Sequence, residues 1–165
     1  MKKRDCAEEL CGLIREGTSP FHAVLVAERR LREQGFESLS MKRSWQLEKG
    51  GRYYVSVGES TLFAFTVGDS WNGQEGFRIA AAHTDFPGLR VKQHAEMIRG
   101  NYGQLNVEVY GGAILNTWLD RPLSVSGRVA LKSDDVFRPQ TRLVDLKKPY
   151  FIIPNLAIHL NREVN

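Results

Sequence analysis

Helical periodicity marks only the first part of the chain. Residues 4–15 read as a helix with Leu10, Leu13 and Ile14 as its apolar contacts, and Gly17 ends it. Thr18-Ser19-Pro20 restarts the pattern, with a hydroxyl at the N-cap and a proline at the first helical position, where its missing N–H costs nothing. Phe21, Val24, Leu25 and Leu31 then fall near one face. Gly35 suits a left-handed cap, with Phe36 placed to pack back on Leu31 in a Schellman motif.

Beyond that point the period shortens to two. Trp45–Glu48 alternates, Gly50-Gly51 suits a tight turn, and Tyr53–Val57 reads as the return strand. Thr61–Val67 is another strand, followed by a polar loop from Gly68 to Gly76. The apolar run Ile79–Ala82 reads as a buried strand that stops at His83-Thr84-Asp85, after which Pro87-Gly88 turns the chain away. Leu89–Lys92, Leu105–Tyr110 and Leu123–Leu131 all alternate, and no amphipathic helix appears between residues 89 and 150. Gly111-Gly112-Ala113 marks a bend or a close backbone approach, and Pro139, Pro149 and Pro154 punctuate the end. Two helices followed by strands predict an α/β fold: a mixed sheet with helices on one face, then a β-rich part beginning near residue 90.

Composition narrows the function more than the fold. A chain of 165 residues with 42% hydrophobic and 25% charged residues is that of a globular protein of one ordinary domain or two small ones. The net charge of +4 comes from charges that alternate in sign, which argues against nucleic acid as a partner. The densest basic cluster, Arg29-Arg30-x-Arg32, reads as a solvated helix face. Cys6 and Cys11 stand five apart on a helix, a spacing of neither a redox pair nor a zinc pair. No apolar run approaches the ~20 residues of a membrane span. The basic start Met1-Lys2-Lys3-Arg4 is followed by acidic residues rather than an apolar signal region, so a cytoplasmic location is expected.

The chemistry concentrates at His83-x-Asp85. A metal-ligating histidine needs a partner that fixes its tautomer, most often a carboxylate or carbonyl, and period-two geometry puts these two side chains on one side. Taken alone, the pair is better explained as a structural histidine. Of the other histidines, His22 reads as a packing or hydrogen-bonding residue, His94 as exposed and His159 as a satisfied core histidine. Glu8-Glu9 sits near the start of the first helix, where the helix dipole explains it. Asp120-Arg121 reads as an ion pair shaping the loop of Trp118.

Four blocks in order resemble one peptidase family, that of the aspartyl aminopeptidases. They are Ser19–Val24 with Gly35-Phe36, Ala81–Lys92, Tyr110–Leu123 (YGGAILNTWLDRPL) and Ile153–Asn165 (IPNLAIHLNREVN). The resemblance implies the N-terminal part of a zinc-peptidase α/β catalytic domain over residues 1–90, followed by the start of a β-rich dimerisation or assembly domain over residues 91–165. It implies a dinuclear zinc aminopeptidase acting on peptides and assembled as a homo-oligomer. In it His83 is a zinc ligand, Asp85 its catalytic orienting partner, and Asn116, Asp120 and Arg121 belong to the substrate or assembly motif.

Two departures qualify that picture. Where some relatives, notably the animal enzymes, carry a histidine, this chain has Asn116, which cannot carry the charge of an imidazolium. The preference for acidic N-terminal residues is therefore not carried over. The family's remaining carboxylates and last histidine have no counterpart among these residues, and a catalytic zinc needs at least three protein ligands. The isolated chain is expected to be inactive and to aggregate or oligomerise. The alternatives are a catalytically dead assembly remnant that pairs with a complete peptidase, and a β-rich binding module with a basic surface.

Overall fold

The computed structural model describes residues 3–161, so the basic start at Met1-Lys2 and the last four residues of the fourth block, Arg162 to Asn165, lie outside the described residues. The chain divides into two compact units. One is formed by the chain up to Asp85 together with Ser126–Asp145, the other by Phe86–Val125 and the chain from Leu146 onward.

In the first unit, helix α1 spans Lys3–Glu16 and α2 spans Pro20–Glu33. Both ends of α2 carry the signals read in the sequence. Ser19 is the N-cap, its Oγ accepting from His22 N at 3.3 Å, with Pro20 opening the helix. At the other end Gly35 takes φ +78°, Gly35 N donates to Arg32 O, and Phe36 N donates to Leu31 O at 3.0 Å, the two bonds of a Schellman cap. Arg29 pairs with Glu16 and Arg30 with Glu9, so the basic cluster ties α2 to α1 along a solvent-facing seam. Val24 and Val26 are the buried residues of α2, whereas Leu10, Ile14 and Leu25 are exposed. The helical face is thus rotated toward Val26 relative to the sequence expectation.

The sheet of this unit has the order β1-β2-β3, with β1 Glu37–Ser38, β2 Arg52–Val57 and β3 Thr61–Thr66. β1 runs parallel to β2, and β3 is antiparallel to it from Val57↔Thr61 to Arg52↔Thr66. Tyr53, Tyr54 and Val55 are consecutive and all buried, as befits a central strand covered on both faces. The expected strand at Trp45–Glu48 is absent. That stretch is held by side chains instead: Trp45 Nε1 donates to Ser40 O at 2.9 Å, its ring stacks on Phe65, and the Tyr53 hydroxyl accepts from Glu48 N. Short alternation could not distinguish a strand from an irregular segment anchored by one aromatic.

The hairpin of β6 Ser126–Leu131 and β7 Gln140–Asp145 also belongs to this unit. A single boundary at residue 90 therefore does not describe the division. Ser126 Oγ donates to Thr18 O at 2.7 Å, Arg128 Nη1 donates to Gly58 O and to Glu59 Oε2, and the Arg128 guanidinium lies 4.4 Å from the Phe21 ring centre. These contacts bring a late hairpin back to the first helices.

The second unit is built on a long hairpin, β4 Gly88–Arg99 and β5 Tyr102–Tyr110, turning at Gly100-Asn101. Its register shifts between Val91 and Glu96, where His94 takes φ +49° and Ala95 is buried. Among the described residues the only helix here is the 3-10 turn Leu115–Trp118. Leu123 bridges Phe151.

Candidate metal centre

His83 sits in the first unit, on a segment without regular structure. Its Nδ1 lies 2.6 Å from the backbone carbonyl of Asp85 and 3.2 Å from the Asp85 carboxylate. A carbonyl only accepts, so this contact places the proton on Nδ1 and leaves Nε2 with the lone pair a metal requires. The imidazole is 79% exposed, so Nε2 has access to solvent and to whatever approaches it. Between the two residues, Thr84 Oγ1 donates to Ser60 O at 2.7 Å, fastening the segment to the turn between β2 and β3. Sequence reasoning named His83 and Asp85 but not Thr84. A hydroxyl between two site residues was the available signal, yet its partner is 24 positions away.

The segment leading into the site differs from the expectation of a buried strand. Residues 77–83 are unassigned and exposed, with Phe77 at 86% and Ile79 at 80%. No strand of the described residues lies alongside to pair with them, so the apolar run has nothing to be buried against.

Among the described residues no three His, Cys, Asp or Glu side chains form a group able to hold a metal ion. His22 is engaged elsewhere, its Nδ1 2.7 Å from Ser19 Oγ. His94 is exposed on the β4 bulge. His159 is exposed in a turn rather than in a core, because the neighbouring Ile158 and Leu160 are themselves exposed. Among the described residues, His83 is thus an oriented imidazole with no group of three such donors formed around it.

The second unit carries the other candidate residues. Asn116 is exposed within the 3-10 turn. Asp120 takes φ +54°; its N donates to Ile153 O at 2.9 Å and its Oδ1 accepts from Asn155 N at 3.0 Å. The expected Asp120–Arg121 ion pair is not formed, since the carboxylate is turned onto the backbone of the Pro154 segment. Arg121 is exposed. Gly111 takes φ +69°, the left-handed backbone of a bend at the Gly-Gly-Ala stretch, where a Cβ would make only ordinary contact with Pro87.

A family model described as aminopeptidase I zinc metalloprotease (M18) matches residues 13–165. A probable M18 family aminopeptidase 2 of Clostridium novyi is 47% identical over 160 residues, covering 96% of this chain and 37% of that protein. Among solved structures, Ape4 in its cryo-EM complex with Nbr1 superposes with a TM-score of 0.90 at 37% identity, over 96% of this chain and 30% of that one. The mApe1 dodecamer of S. cerevisiae gives 0.82 at 29% identity, over 94% and 36%. The chain belongs to the M18 family of zinc aminopeptidases, and it spans about a third of the length of these relatives.

No helix among the described residues is long and apolar enough to cross a membrane.

Proposed function

We propose that the chain is the N-terminal portion of a zinc aminopeptidase that releases N-terminal amino acids from peptides, and that His83 is one of its metal ligands. The observation that carries this reading is the His83 imidazole itself, with Nδ1 committed to Asp85 and Nε2 exposed, within a family-matched segment. In a complete centre of two zinc ions, the chemistry supplied would be polarisation of the scissile carbonyl and activation of water. His83 would donate through Nε2. Asp85 fixes the ring through its carbonyl and carboxylate, and Thr84 holds both in place from the turn after β2.

The first unit is read as the catalytic portion and the second as the assembly portion, in a cytoplasmic homo-oligomer. An uncharged Asn116 leaves the acceptance of acidic N-terminal residues without the cation that would favour it.

The test is a chimera in which this chain replaces the matching 160 residues of the Clostridium novyi relative. The chimera is expected to hydrolyse aminoacyl reporter substrates and to lose that activity to a zinc chelator, regaining it with added zinc. A folded chimera with no peptidase activity in zinc would overturn the reading.

A further inference from the structure

We infer that Glu59 is a positioning residue for His83, acting through the Gly58-Glu59 turn and Thr84. The inference rests on the reading of His83 as a metal ligand and deepens it, by naming what holds that imidazole in place beyond its own loop. Between β2 and β3 the chain turns at Gly58 and Glu59, with φ +60° and +61°. Two successive positive φ values are the pattern of a type I′ hairpin turn, which glycine and asparagine suit and glutamate does not. Left-handed backbone at such a residue persists only where its surroundings fix it, and it concentrates where geometry serves a site.

What fixes it comes from the β6–β7 hairpin, 69 to 82 positions further along the chain. Arg128 Nη1 donates to Glu59 Oε2 at 3.0 Å and to Gly58 O at 2.9 Å, and Thr141 Oγ1 reaches the same carboxylate oxygen at 3.4 Å. The Arg128 guanidinium is itself held 4.4 Å from the centre of the Phe21 ring, at the start of α2. An ion pair as exposed as this one adds little stability, and the left-handed glutamate backbone offsets part of it. A planar guanidinium that grips both the side chain and the main chain of one turn nevertheless fixes where the carbonyls of that turn point.

The next carbonyl is the one the site uses. Ser60 O, adjacent to Glu59, accepts from Thr84 Oγ1 at 2.7 Å, and Thr84 adjoins His83, whose Nδ1 is held by Asp85. Asp85 thus sets the rotation of the imidazole, while the run Phe21, Arg128, Glu59, Ser60, Thr84 sets where the loop that carries it stands. All of these residues lie in the first unit. A substitution that relaxes the turn but cuts the clamp therefore leaves the fold and blunts the site.

The experiment uses the chimera, with zinc ion as the probe. Glu59→Gly suits the positive φ and removes the carboxylate, whereas Glu59→Gln keeps an oxygen for Arg128 and Thr141. The readouts are the melting temperature without zinc, zinc affinity by competition with a chromogenic chelator, and NMR relaxation of the isotope-labelled Thr84 methyl group without zinc. Glu59→Gly is expected to keep the melting temperature and to loosen the Thr84 methyl. It is expected to weaken zinc binding by about fivefold or more, less than the loss of a group touching the ligand would. Glu59→Gln is expected to bind zinc as the parent does. Parental zinc binding in Glu59→Gly, an unchanged Thr84 methyl, or equal losses in Glu59→Gly and Glu59→Gln would each overturn the inference. So would a loss of zinc affinity that comes with a lowered melting temperature, the mark of general destabilisation. His83→Ala separates the two readings. Zinc affinity lost in His83→Ala but kept in Glu59→Gly overturns the positioning role alone, whereas affinity kept in His83→Ala overturns the ligand assignment and the positioning role together.

Discussion

At the scale of single residues, the site is an imidazole whose orientation is set by its own short loop. The Asp85 carbonyl, closer to Nδ1 than the carboxylate is, shares the orienting role that the sequence assigned to the side chain alone. Asp85→Ala in the chimera is therefore expected to lower zinc affinity by about tenfold, the shallow end of the 10- to 100-fold range for such partners, because the carbonyl persists. Equilibrium competition with a chromogenic chelator measures it. Thr84→Val removes the bond to Ser60 O and should lower kcat/KM of the chimera with little change in its melting temperature. In the second unit, Gly111→Ala puts a side chain on a backbone of φ +69° and is expected to cost about 1–2 kcal/mol in urea unfolding.

At the scale of elements, stability is carried where local and tertiary signals agree. Ser19→Ala deletes the α2 cap and should cost about 1 kcal/mol. Val24→Ala empties a fully buried position and should cost about 2 kcal/mol. Both are read from urea midpoints. The same agreement explains what was legible in advance. Helix α2 was readable at both ends because Ser19-Pro20 and Gly35-Phe36 are local chemistry. Strands β2 and β3 were readable because their short runs of apolar and aromatic residues are flanked by glycine turns. The Trp45 stretch misled because its alternation is short and its anchor, Phe65, is distant. The Ile79–Ala82 run misled for a different reason: apolar composition states that a segment is to be buried but not by what. The hairpin β6–β7 joins the first unit through Arg128, Glu59 and Ser126, contacts about 70 to 108 residues apart that no periodicity encodes. Of the site, the His83–Asp85 pair was legible from spacing, whereas the Thr84 tether and the bond from Asp120 to Asn155 depend on chain return.

At the scale of the whole molecule, the chain is a member of the M18 family that forms two compact units and spans about a third of the length of its relatives. The most direct test of the account is the effect of His83→Ala on kcat/KM of the chimera with an aminoacyl reporter in saturating zinc. Loss of a ligand to a metal that supplies several kcal/mol of transition-state stabilisation predicts a fall of about a thousandfold or more, with the fold intact by circular dichroism. A fall of less than about tenfold, equivalent to 1.36 kcal/mol, would contradict the assignment of His83 to the metal centre.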